Sequence, residues 1–183
     1  QPRPSESWNV FQSEILDNLV GSEVDSFLRW PVIEKTMSVP HTSKWVITEL
    51  GYLRGLSDWT TRWVPAMQDS SVGRPRAYRK MRSTSANVIH HSYQIGMFET
   101  LTSAKVEGFD SILEIGGGYG GTCRLLRRLG FNGSYTILDL PAVSLLQNYY
   151  LVATGVQSAD DNRPPKVNTI SSIRECEKLL EPS

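Results

Sequence analysis

Cysteine is scarce: Cys123 and Cys176 are the only two in 183 residues. A disulfide scaffold is thereby excluded, and a reducing, cytoplasmic location is expected. Net charge is missing as well, since 19 Lys and Arg meet 19 Asp and Glu. Binders of nucleic acid or of membrane surfaces normally carry a basic surplus, so neither partner is expected. No apolar run approaches the roughly 18 residues of a membrane helix. The start, Gln1-Pro2-Arg3-Pro4, has no initiator Met and no signal-type apolar stretch, and it reads as a trimmed or internal start. Zinc-type ligand spacing, a Ser-His-Asp signature and a Walker loop are all lacking, and no metal is expected.

Aromatic residues are plentiful. Five Trp, seven Tyr and five Phe, within 39% hydrophobic residues, exclude disorder over the whole length. Every Trp falls within residues 8–63, roughly the first third, which reads as helices. Trp8, Phe11, Ile15, Leu16 and Leu19 follow helical spacing, with Ser5 or Ser7 as N-cap. A second helix is expected over residues 42–54 and a third from about Ser57. The Trp cluster suits helix packing or a dimer face better than a sugar-stacking platform. Residues 69–75 are rich in turn formers and read as a linker. A basic run follows: Arg74, Arg76, Arg79, Lys80 and Arg82. A solvated face is the expected reading, and a clamp for an acidic or phosphorylated substrate the sharper one. A long helix is expected over 83–105, with Val88, Ile95, Phe98 and Leu101 near one face.

The second half changes period. Residues 111–115 form a β-type run that ends in Gly116-Gly117-Gly118-Tyr119-Gly120-Gly121. An amphipathic helix bearing Leu125, Leu126 and Leu129 follows and stops at Gly130. A second strand over 134–138 closes with Asp139-Leu140-Pro141, and Pro141 opens a helix to about Thr154. A third strand over 166–170 and a helix over 172–180 complete a β-α-β-α-β order, which calls for a parallel sheet. The expected division is a helical region (1–68), a linker and basic segment (69–84), and a sheet-bearing unit (85–183).

A glycine-rich turn between strand and helix lets a ligand approach the backbone and the helix N-terminus. Gly116, Gly118 and Gly121 satisfy the dinucleotide spacing G-x-G-x-x-G, while Gly116, Gly118 and Gly120 equally satisfy G-x-G-x-G. Glu114 decides between ligands, because a carboxylate at the mouth of the strand would repel a pyrophosphate. A ligand with sulfonium and ammonium charges would be attracted, and its own carboxylate could still use the helix N-terminus. Asp139, at the end of the next strand, is placed to accept hydrogen bonds from a ribose diol.

The runs Leu113-Glu114-Ile115-Gly116-Gly117-Gly118-Tyr119-Gly120-Gly121 and Leu138-Asp139-Leu140-Pro141 resemble the cofactor motifs of class I methyltransferases. A triple glycine combined with Asp-Leu-Pro is typical of O-methyltransferases. The likeness extends to bacterial sugar O-methyltransferases, which also show a helical N-terminal region with a segment like Phe27-Leu28-Arg29-Trp30-Pro31. The motif-bearing part spans residues 111–150. The resemblance implies a Rossmann-like α/β fold and S-adenosyl-L-methionine as cofactor. It implies that Glu114, Gly116, Gly118 and Gly120 hold the methionine end. Asp139, with Leu140 beside it, would hold the ribose. It also implies a small-molecule acceptor, a sugar or glycoside.

Residues 111–183 have room for about three strands at roughly 30 residues per βαβ unit, so the sheet is expected to be incomplete. The chain is accordingly expected to be truncated and catalytically incomplete, with an open edge that invites homo-oligomers. The rival readings are a NAD-dependent oxidoreductase and a non-catalytic cofactor-binding module. No catalytic base can be assigned. His90 and His91 point about 100° apart on a helix and are expected to be structural. Cys123 is expected to be a small buried residue rather than a reactive thiol.

Overall fold

The computed structural model describes residues 6–157 and 166–175, so Ser5, Cys176 and most of the helix expected over 172–180 lie outside the described residues. The first helix, α1 (Glu6–Gly21), buries Phe11 and Ile15 and half-buries Leu19. These sit at i, i+4 and i+8, a narrow stripe, and the main neighbour of α1 is α7 (Pro141–Ala153). Trp8 and Leu16, expected on the same face, lie to its side at 50% and 43% exposure. A 3-10 turn (Val24–Arg29) and α2 (Pro31–Thr36), opened by Pro31, follow; neither was expected. The helix expected over 42–54 is shorter, α3 (Val46–Arg54). Near Ser57 the chain forms a π-type turn (Trp59–Trp63) that runs into α4 (Val64–Ala66).

Trp30 and Trp63 are core residues, whereas Trp45 is half exposed with its ring edge-on to His90. The segment read as a linker holds a small antiparallel hairpin, β1 (Ala77–Tyr78) and β2 (Met81–Ser85). Arg79, Lys80 and Arg82 are exposed on it. Arg74 and Arg76 instead reach Glu23 (3.6 Å) and Glu34 (2.6 Å). Ser85 caps α5 (Ala86–Thr102), its hydroxyl accepting from the Val88 amide. The buried face of α5 is Val88, Ile89, Ser92, Gly96 and Glu99, while Phe98 and Leu101 are exposed. Gly96 sets that choice, since Leu53, Leu56 and Trp63 stand 3.4–3.5 Å from where its Cβ would be. Glu99 is admitted to the core because Arg62 donates to both its oxygens at 2.7 Å and Lys105 to one at 2.9 Å.

After a short 3-10 turn (Val106–Gly108), the second half follows the expected order: β3 (Ser111–Ile115), α6 (Gly121–Arg128), β4 (Ser134–Leu138), α7 and β5 (Val167–Ile170). The three strands form a parallel sheet in the order β3-β4-β5, with Glu114 beside Ile137 and Ile115 beside Leu138. The protein is therefore a mixed α/β structure with a three-stranded parallel sheet and a small antiparallel one. One core runs from Phe11 and Ile15 through Phe27 and Trp63 to Ile137 and Leu151. Among the described residues no helix is long and apolar enough to cross a membrane.

Candidate functional site

In-register parallel strands bring their C-terminal ends together, and the turns that follow β3 and β4 become neighbours. The Gly116 amide donates to the Leu138 carbonyl (2.9 Å), which fixes the start of the glycine turn against the end of β4. Gly116, Gly118 and Gly120 have φ of 73°, 56° and 89°, a region that side chains disfavour, so the turn depends on glycine there. Gly117 is needed for space: a Cβ on it would lie 2.6 Å from Ile137 Cγ2 and 2.8 Å from Glu114 Oε2.

A cavity of about 410 Å3 opens over this turn, a volume within the range of small-molecule sites. Glu114, Gly116, Gly118 and Asp139 all line it. The expected site residues Gly120 and Leu140 do not. Gly120 is the N-cap of α6 and packs against Leu151; Leu140 is the N-cap of α7, and its amide donates to Asp139 Oδ1 (2.8 Å).

Both carboxyls carry a cost. Burial raises the Glu114 carboxyl above the usual carboxylate range and the Asp139 charge adds to it, against the hydrogen bonds of Tyr135 and Thr122. The Tyr135 hydroxyl donates to Glu114 Oε2 at 2.9 Å. Burial raises Asp139 as well, opposed by the amides of Leu140 and Gly118 and by Gln147. Gln147, wholly buried on α7, donates from Nε2 to both Asp139 Oδ2 (2.9 Å) and the Gly118 carbonyl (2.8 Å). Asp139 Oδ2 also accepts from the Gly118 amide at 3.2 Å. Asp139 is thus tied to the glycine turn itself, and the lone pair left on Oδ1 is the place for an added donor.

A wall stands opposite the glycine turn. Residues 36–39, the strap after α2, stand there, with the Met37 thioether 3.8 Å from the Cβ position of Gly118. Asn87, buried at the start of α5, holds the strap: its Nδ2 donates to the Met37 carbonyl (2.8 Å) and its Oδ1 accepts from the Val39 amide. Trp8 and Phe11 of α1 close another side. Behind the turn, Phe27 packs on Tyr119 and Tyr150 with ring centroids 5.9 and 5.8 Å away.

His91 lines this cavity too, beside Thr122. Burial, with a smaller contribution from His90, lowers its pKa to about 4, so the ring is neutral at pH 7. His90 has the carboxylate partner that the sequence did not show. Its Nδ1 lies 2.8 Å from Oε1 of Glu49, which comes from α3. Cys123 is fully buried, and burial pushes its thiol up to about 12, as befits an unreactive core residue. Asn87 and Met37 carried no local signal, because each acts through a contact 50 or more residues away, and Gln147 joins Asp139, eight residues off, to Gly118, 29 residues off. Comparison with known protein families, curated proteins and solved structures found no match to this chain.

Proposed function

We propose that the cavity over the glycine turn binds S-adenosyl-L-methionine, and that the chain carries the cofactor-binding part of an O-methyltransferase with a Rossmann-like sheet. One observation carries the reading: among the described residues the only charged side chains lining the cavity are two carboxyls, Glu114 and Asp139, and both are raised by burial. A paired burden of negative charge on partly buried carboxyls is relieved by a cationic ligand and aggravated by a pyrophosphate. The residues fit the cofactor. Glu114 receives its ammonium end, and the α6 N-terminus after Gly120 receives its carboxylate. The remaining lone pair of Asp139 Oδ1 accepts from the ribose, and the bare Cα of Gly117 leaves room for Glu114 beneath the turn.

When bound, the cofactor supplies a methyl group made electrophilic by a sulfonium. The chain's own contribution is positional. The strap and α1 wall the cavity, and Asn87 fixes the strap. Neutral His91, with a pKa near 4, is a weak proton acceptor at pH 7 and contributes shape and hydrogen bonding rather than general-base chemistry. The acceptor, by the resemblance of the motifs, is a hydroxyl of a small molecule of sugar type.

Calorimetric titration of the chain with S-adenosyl-homocysteine and with NAD tests the reading. Binding of the first and not the second is expected. Preference for NAD would install the oxidoreductase reading in its place, and binding of neither would leave a non-catalytic module.

A further inference from the structure

A second cavity, about 420 Å3, lies on the far side of the strap and shares Ser38, Val39, Asn87 and Tyr119 with the first. We infer that this cavity is where the acceptor sits, and that the acceptor is a hydroxylated acid, carboxylate or phosphate ester, whose anionic group pairs with Arg76. The inference rests on the methyltransferase reading for the neighbouring cavity.

The two cavities differ in electrostatic character. Among the described residues the first is walled by two carboxyls and holds no Lys or Arg side chain, whereas the second is walled by Arg76, Glu34 and His41. Arg76 donates from Nε to Glu34 Oε1 at 2.6 Å, and its two terminal nitrogens make no hydrogen bond among the described residues. A guanidinium held by one edge keeps its other edge for a second anion, in the fork geometry that suits carboxylate and phosphate. Arg29 stands beside the same pair, and Arg76 and Glu34 act on it in opposite senses.

Ser38, Thr42 and Ser85 supply hydroxyls around the rest of the wall, matching a ligand with several hydroxyls of its own. Arg76 and the shared residues 38 and 39 lie along one space, so an acceptor anchored at Arg76 extends toward the cofactor cavity. This gives Arg76, within the basic run 74–82, a part distinct from that of the solvated Arg79, Lys80 and Arg82. Arg76 is a positioning residue for the acceptor.

The test is equilibrium binding of glucuronate, glucose 6-phosphate and glucose to the full chain, with and without saturating S-adenosyl-homocysteine. Both acids should bind at least about tenfold tighter than glucose, the scale of a charge-assisted bidentate pair. The stronger of the two identifies carboxylate or phosphate as the preferred group. Arg76→Gln should remove the preference, Arg76→Lys should retain part of it, and Glu34→Gln, which frees Arg76 of its competitor, should tighten both acids. Arg76 and Glu34 are partly exposed, so all three variants should unfold at the parent's midpoint. Equal binding of acids and glucose, or a preference that survives Arg76→Gln, overturns the inference. If that happens while S-adenosyl-homocysteine still binds, the cofactor reading stands alone. An Arg76-dependent acid preference without S-adenosyl-homocysteine binding keeps the anion cavity and removes the cofactor reading beneath it.

Discussion

Glu114→Gln should move ligand affinity and stability of the unliganded protein in opposite directions. The side chain keeps its size, and the amide oxygen can still accept from the Tyr135 hydroxyl. What is lost is a charge that the unliganded fold tolerates poorly. Burial and Asp139 together raise the Glu114 carboxyl, so the folded state binds this proton more tightly than the unfolded chain does. Stability from this group is therefore complete at pH below the unfolded value of about 4.3. It declines as pH rises through the higher folded value. Wherever Glu114 is ionised it is a burden, so toward higher pH the glutamine variant should unfold at an equal or higher temperature than the parent. The gap should close toward pH 4. A cationic ligand reverses the sign, because a hydrogen bond to a charged partner contributes about 1.5–3 kcal/mol. S-adenosyl-homocysteine should therefore bind roughly 10- to 150-fold more weakly. Calorimetric titration at pH 7 and thermal unfolding from pH 4 to 8 measure the two limbs. Unchanged affinity, or a loss of stability that is the same at every pH, would refute the reasoning, since either result would make Glu114 a packing residue only.

Gly117→Ala places a methyl 2.6 Å from Ile137 and 2.8 Å from the Glu114 carboxyl. It should destabilise by about 1–3 kcal/mol, the usual scale of overpacking, and weaken S-adenosyl-homocysteine with it; denaturant unfolding and titration read both. Asn87→Ala strands the Met37 carbonyl and the Val39 amide. A loss of about 1–3 kcal/mol is expected, together with faster hydrogen exchange at residues 37–39, followed by mass spectrometry. Glu99 is the opposite pH case. Burial pushes its carboxyl up, but Arg62, Lys105 and the Val106 amide together hold it below the usual range. Its stabilisation is present above the unfolded value and lost as pH falls through the lower folded one. Glu99→Gln should cost about 3 kcal/mol at pH 7, with the difference shrinking below about pH 4, in urea unfolding at each pH.

The parallel sheet and its glycine turn were legible because their signals are local. Alternating strands, positive-φ glycines at 116, 118 and 120, Pro141 at a first helical turn and Gly130 after α6 all act within a few residues of themselves. The first half was less legible because tertiary partners decide it. Phe98 and Leu101 look like core residues by composition, yet α5 turns Gly96 and Glu99 inward: the glycine lets Trp63 approach, and Arg62 neutralises the acid. The hairpin at 77–85 escaped notice for a related reason. Its second strand, Met-Arg-Ser-Thr-Ser, has no apolar alternation, and its buried members, Thr84 and Ser85, are polar. Within the candidate site the two carboxyls and two of the three expected glycines line the cavity. Gln147, Asn87 and the strap were invisible, since an amide inside a helical sequence gives no hint of which remote carbonyl it will meet.

The helical first half is a wall of the site rather than an appendage to the sheet. The Tyr149 hydroxyl donates to Asp25 at 2.6 Å, and Phe27 sits between Trp30, Tyr119 and Tyr150, so the turn at residues 24–29 is anchored to α7 and to the glycine turn at once. From that anchor α2 runs out to the strap that covers the turn. The same five residues that supported the family resemblance, 27–31, therefore have a physical task. Phe27 and Trp30 supply aromatic surface, Pro31 starts α2, and Leu28 lines the second cavity. A short segment that docks by aromatic packing and opens α2 ties the glycine turn, its cover and the second cavity into one unit. It also accounts for why an aromatic-rich helical region and a parallel sheet, so different in sequence character, share a single core.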